Sequence, residues 1–162
     1  MFPDEILRLA NQALASARKG KHMIAVAESC TGGLLSAALT AVEGSSDTFD
    51  CGFTTYSYKA KSSLLGVPQG MLVEHGAVSE QVASLMAEGA LAGSTADIAV
   101  AITGIAGPGG GTEEKPVGLV CFAVAQIGFK TKTIERVFDD KGRAAIRMDS
   151  VKEALTLLCN SL

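Results

Sequence analysis

The sequence predicts an α/β protein, a three-layer α/β/α sandwich about a mixed sheet, on three observations. Short apolar runs of the buried-strand type alternate with stretches of helical period over the first two thirds of the chain. A hairpin pattern follows, which puts an antiparallel pair beside the parallel ones. With 162 residues, 48% of them hydrophobic and 19% charged, the chain has enough apolar surface for one core and is no disordered segment. The whole of 1–162 is expected to form a single domain.

Each element has its own reason. Residues 4–19 carry Ile6, Leu7, Ala10, Leu14 and Ala17 at helical spacing, with acids early, bases late and Gly20 as the stop. Residues 23–27 form a short apolar strand that runs into Glu28-Ser29-Cys30-Thr31-Gly32-Gly33. A helix over 34–42 follows, so Ser29 sits at a strand-to-helix turn. Residues 51–57 are rich in Thr, Phe and Tyr and read as a strand. A short helix over 58–65 is closed by Gly66 and Pro68. Ser79 is a cap for a helix running to about residue 92. Residues 97–102 are a second buried strand. The glycine-rich stretch 103–116 is a long loop, a kind that is usually functional inside compact domains. Residues 117–127 and 130–138 pair about Gly128, and residues 142–159 are a closing helix.

Charge and composition remove several functions. Fourteen basic against 17 acidic side chains leave a net charge of −3, the wrong sign for a protein that grips a phosphate backbone. With no Trp and few aromatics, stacking on single strands is disfavoured. Cys30, Cys51, Cys121 and Cys159 make no CxxC pair, and only His22 and His75 stand beside them, so neither a metal nor a cofactor is expected. No apolar run approaches the ~18 residues of a membrane span, and the amphipathic N-terminus is unlike a secretory signal. The expectation is a soluble cytoplasmic protein with no membrane partner.

In open α/β sheets ligands sit beyond the carboxyl ends of the strands, where the loops carrying Ser29 and Thr103 both fall. Ser29 opens a helix through two glycines. The N–H groups of Cys30, Thr31, Gly32 and Gly33 are therefore placed to hold an oxyanion or a phosphate, or Ser29 simply caps the helix. A nucleophilic serine needs a base. His22 and His75 are poor partners, although a Ser-His-Asp triad is a matter of geometry and stays open; lysine is the other candidate base, provided its pKa of about 10.4 is driven down by burial. Lys59 and Lys61 directly follow a strand, with Tyr56 beside them to orient the amine or pass a proton. Cys30 is the rival nucleophile, read as a buried thiol. The loop from Gly104 to Gly111 fits neither a Walker A nor a dinucleotide fingerprint, yet its Gly104, Ile105, Ala106 and Gly107 can reach the same crevice. Arg143 and Arg147, one turn apart, can clamp an anion from one helix face.

Together AESCTGG (27–33), GSSDTFDCGFTTYS (44–57), HGAVSE (75–80) and TGIAGPGGGTEEKPVG (103–118) resemble the C-terminal domain of the CinA competence/damage-inducible protein family. The likeness runs nearly the whole chain. It implies a five-stranded mixed sheet, a homodimer or larger assembly, and no further N-terminal nucleotide-pyrophosphatase domain of the kind longer members carry. Stand-alone members are nicotinamide mononucleotide deamidases. The resemblance thus implies a small-molecule nucleotide substrate, hydrolysed to nicotinate mononucleotide and ammonia in pyridine nucleotide recycling. Ser29 matches the motif serine proposed as nucleophile, Tyr56 and Lys61 the tyrosine and lysine of TYSNxxK, and Arg143 an arginine implied as a phosphate contact. One position departs: Tyr58 stands where the family has Asn, with consequences for specificity or rate. A nucleotide-binding module without catalysis, or an amidase for another small amide, are the competing readings.

Overall fold

The computed structural model describes residues 2–162. A five-stranded sheet in the order β2-β1-β3-β4-β5 runs through the middle of the molecule. Its strands are β1 (Ile24–Glu28), β2 (Phe49–Thr54), β3 (Ile98–Gly104), β4 (Leu119–Gln126) and β5 (Lys132–Val137). β1 pairs parallel to both β2 and β3, and β4 and β5 continue antiparallel. The helices are α1 (Asp4–Gly20), α2 (Leu34–Thr40), α3 (Tyr58–Leu65), α4 (Gln69–His75), α5 (Glu80–Ala92) and α6 (Arg143–Ser161). None of the described helices is long and apolar enough to cross a membrane.

Side-chain size separates the two faces of the sheet. On one, Ile24, Val26, Ile98, Val100, Ile102 and Phe122 pack against α1, α2 and α6. On the other, Ala25, Ala27, Ala99, Ala101, Ala123 and Ala125 meet α3, α4 and α5. Because successive strand residues alternate faces, a slip of one residue would exchange the large face for the small one, so burial fixes the register. The small face lets its helices come close. A Cβ on Gly89 of α5 would run into the Leu65 carbonyl at the end of α3, so the two backbones touch there.

Several boundaries differ from the sequence expectation. Helix α4 has no counterpart in the sequence expectation: Pro68 and Gly70 look like breakers, but Pro68 occupies the cap position, where no N–H is needed. His75 therefore ends a helix rather than sitting in a loop. β2 begins at Phe49 and ends at Thr54; Thr55 N–H still donates to Glu28 O at 2.8 Å, and the chain leaves the sheet at Tyr56. α1 is closed by Lys21 in the left-handed region (φ 57°) rather than by Gly20. Gly20 serves packing, since a Cβ there would press on the His22 ring at 2.6 Å.

The order β2-β1-β3 sends consecutive connections to opposite sides of β1. α2 covers the large face, and α3 to α5 cover the small one. The ends of β1 and β3 consequently flank the crevice at which the winding reverses. Ser29, Thr55, Ile105 and the first turns of α6 all lie at that edge.

Candidate active site

Ser29 follows β1 directly, and its N–H continues the ladder by donating to Ile102 O at 2.9 Å. Its side chain points back to α3. There Lys61 Nζ lies 2.9 Å from Ser29 Oγ and 2.7 Å from the carbonyl oxygen of Thr55. Helix α3 exists to bring it there. Ser57 caps the helix by accepting from Ala60 N–H at 3.0 Å, and Gly66 ends it with φ 67°. Lys61 and Leu65, one turn apart, are the helix residues that turn inward. Lys59 is exposed and takes no part.

Lys61 is 0% exposed. Burial penalises its ammonium form and lowers the pKa from 10.5 to about 8. As an ammonium Lys61 donates to both oxygens; once deprotonated, with one N–H kept by Thr55, it has a lone pair within reach of the Ser29 hydroxyl. A buried amine beside a hydroxyl is the arrangement of a serine nucleophile with a lysine base. Neither histidine touches this pair.

Cys30 belongs to the core, 5% exposed, and desolvation raises its thiol to about 11. At neutral pH it is a protonated, inert thiol. If Ser29 is a nucleophile, Cys30→Ala is therefore expected to keep the wild-type rate, and iodoacetamide to leave the native protein active. Steady-state rates before and after alkylation check both.

Glu28 was given no role by its sequence, and it organises the site. It is fully buried at the end of β1. Its carboxylate accepts from Thr31 Oγ1 (2.7 Å), Gly33 N–H (3.0 Å), Leu35 N–H (3.0 Å), Ser36 N–H (2.8 Å) and Ser36 Oγ (2.7 Å). The α2 N-terminus is thus occupied by an internal carboxylate and is not open to a substrate anion, contrary to the expectation from its glycines. An acid closing an apolar strand just before the serine was the available signal. Glu28→Gln puts two donors where only acceptors fit. It should lower stability by about 2–3 kcal/mol, read as a fall in the urea midpoint at unchanged slope.

The remaining predicted residues divide into those that hold the frame and those whose backbone is free. The Thr31 side chain is spent on Glu28. Thr103 is fully buried and donates to Ala77 O at 2.8 Å, so its hydroxyl fastens the segment before α5 instead of meeting a ligand. Gly32 N–H donates to Ser29 O at 3.0 Å and Ile105 N–H to Leu119 O at 2.8 Å. Gly104 closes β3, where a Cβ would press on Val120 at 2.7 Å. Among the described residues, the N–H groups of Cys30, Thr31, Ala106 and Gly107 donate to no acceptor of another residue. They are backbone donors without an internal partner, on the two loops that flank the ends of β1 and β3.

Tyr56 is not hydrogen-bonded to Lys61 or Ser29, so the direct relay expected of it is not formed. Its hydroxyl, on a side chain 60% exposed, accepts from Arg143 Nη2 at 2.7 Å. Arg143 Nη1 donates to Gly107 O at 2.8 Å, which ties the two loops at the mouth together. Arg147 does not share an anion with Arg143: its Nε and Nη2 donate to Cys30 O (3.0 Å) and Thr31 O (2.8 Å). Tyr58 turns to the segment before α5, its hydroxyl accepting from Ala77 N–H at 3.3 Å. Lys115, also missed, donates to His75 O (2.6 Å) and Val78 O (2.7 Å) and secures the glycine-rich loop.

Comparison with known proteins agrees with this architecture. The CinA C-terminal domain family matches residues 6–162. A CinA-like protein of Syntrophobacter fumaroxidans is 53% identical over 135 residues, covering 83% of this chain and 31% of that protein. A CinA-like protein of a Synechococcus species is 53% identical over 153 residues, 94% of this chain and 35% of that protein. The chain thus spans about a third of the length of the curated relatives it matches. Among solved structures, the competence/damage inducible protein CihA of Agrobacterium tumefaciens superposes with a TM-score of 0.96 at 46% identity, covering 99% of this chain and 97% of that one. A competence-damaged protein (CinA) superfamily member from Escherichia coli gives 0.88 at 34% identity, over 100% and 94% of the two chains. On its sequence, its five-stranded mixed sheet and these relatives, the chain belongs to the CinA C-terminal domain family.

Proposed function

We propose that this chain is an amidohydrolase that converts nicotinamide mononucleotide to nicotinate mononucleotide and ammonia. The observation that supports hydrolysis is the Ser29 hydroxyl 2.9 Å from the nitrogen of a fully buried lysine. The motif resemblance supports the substrate.

In this reading neutral Lys61 takes the Ser29 proton as Oγ bonds to the carboxamide carbon. The carbonyl oxygen becomes an oxyanion facing free backbone N–H groups. Lys61 then gives its proton to the amide nitrogen. The C–N bond breaks, ammonia leaves, and Ser29 carries an acyl ester. Lys61 next removes a proton from water, hydroxide attacks the ester, and the proton returns to Ser29 Oγ as the carboxylate departs. Thr55 O orients the amine throughout. Tyr56 and Arg143, joined across the mouth, are the groups nearest to hand for the ribose phosphate. Substrate phosphate would take over Arg143 from Gly107 or Tyr56.

The test is ammonia release by the purified protein from nicotinamide mononucleotide and from nicotinamide riboside. Turnover of the first, with a much higher KM or none for the second, is expected. Thermal stabilisation by the nucleotide without ammonia release would replace the enzyme with a binding module.

A further inference from the structure

We propose that Arg147 is a positioning residue that builds the oxyanion site from the far side of the turn after Ser29. The inference deepens the proposed reaction and rests on Ser29 being its nucleophile, whatever amide is the substrate.

The turn offers few donors once its internal bonds are counted. Gly33 N–H belongs to Glu28 and Gly32 N–H to Ser29 O, which leaves the adjacent N–H groups of Cys30 and Thr31. The residue after a nucleophilic serine is the usual source of one oxyanion donor in strand-to-helix elbows. The second donor needs its peptide plane fixed, and Arg147 does this. In a trans peptide a carbonyl and the next residue's N–H point opposite ways. Arg147 Nε holds Cys30 O at 3.0 Å, so Thr31 N–H is turned away from α6. Arg147 Nη2 holds Thr31 O at 2.8 Å, so Gly32 N–H is turned away as well, and it lands on Ser29 O at 3.0 Å. Both N–H groups therefore face away from α6: that of Gly32 is taken by the Ser29 carbonyl, and that of Thr31 is buried without a partner.

The grip suits a guanidinium and no other group. Two consecutive carbonyls are met by a planar fork, which a lysine point charge does not reproduce. The turn is pressed onto it: Gly32 has φ 61°, and a Cβ there would sit 3.3 Å from Arg147 Nη2. A cation on the Cys30 carbonyl also polarises that peptide and strengthens its N–H as a donor.

Arg147→Met is expected to lower kcat about 10²–10³-fold, the range for losing an oxyanion donor, with KM changed less than about threefold. The alkaline rise of the rate, set by Lys61, should keep its midpoint. Because the nucleotide is itself a proposal, the decisive assay is labelling of Ser29 by a fluorophosphonate, followed by intact-mass analysis. The wild type should label, Arg147→Met at least tenfold slower, and Arg147→Ala should regain speed with added guanidinium. If Arg147→Met does not fold, Arg147→Lys carries the same comparison and should fall between the two. Slow labelling of the variant, in a wild type that labels but releases no ammonia, supports the inference while removing the substrate. Equal labelling rates in a folded variant overturn this inference alone. A wild-type Ser29 that never labels overturns it together with the nucleophile.

Discussion

Ser29→Ala should reduce ammonia release from nicotinamide mononucleotide by at least about 10⁴-fold while leaving the fold intact. Nucleophile and base act as one unit, so removing either costs nearly as much as removing both. The expected loss is this large because no neighbour can substitute. Cys30 is buried and protonated, and the hydroxyls of Thr31 and Ser36 are committed to Glu28. Among the described residues, the side-chain oxygen of Ser29 has one hydrogen-bond partner, Lys61, and the backbone of the turn is held by Ile102, Glu28 and Arg147. Thermal unfolding should therefore move little. A variant that keeps even a tenth of wild-type turnover would remove the acyl-enzyme.

Lys61→Met should be equally inactive and, at neutral pH, more stable than the parent. The unfolded lysine keeps its proton to about 10.5, whereas the folded one releases it above about 8. Between these values the unfolded chain binds more protons, so stability rises with pH across that window. Below about 8 the folded protein bears the full cost of a buried ammonium, on the order of 3 kcal/mol for a shift of this size. Methionine is free of that cost and gives up the Thr55 bond, worth about 1 kcal/mol. The net gain of about 2 kcal/mol corresponds to roughly 4–8 °C in Tm at pH 7. It should shrink as pH rises from 8 and vanish near 10. The same titration governs the wild-type rate, which should climb through about pH 8 as the amine becomes a base. An unchanged Tm at pH 7, or a rate with no limb in this region, would remove Lys61 from the role of base. Sites that hold a group in an unfavourable charge state commonly trade stability for activity in this way.

These residues also mark what can be read from a linear sequence. Ser79 announced α5, because a cap is a local event written within four residues, whereas Ser57, which caps α3, had the look of a strand residue. Helix α4 was not legible, since Pro68 and Gly70 signal a break unless tertiary packing holds Leu72 in the core. The end of β2 was placed too late because Thr55 and Tyr56 are good strand formers. Thr55 N–H still reaches Glu28 O at 2.8 Å, while Tyr56 turns out to the mouth. Ser29 stood out because it follows a strand at the functional edge; the same argument left Lys59 and Lys61 equal, and only the motif resemblance separated them. Glu28 did not stand out, and Arg147 suggested an anion instead of the carbonyls of Cys30 and Thr31, because one binds backbone N–H groups and the other backbone carbonyls, partners that side-chain patterns do not name.

The place of α6 in the chain has a consequence for the order of events in synthesis. It seats on α1, where Lys152 meets Glu5 at 2.7 Å, and from there Arg147 reaches back 117 residues to Cys30. A ribosome delivers the serine and its amine early and the arginine that tunes the turn late. The turn after Ser29 thus gains its guanidinium clasp only once α6 has been made and has docked on α1, so segments more than a hundred residues apart must meet before that clasp closes.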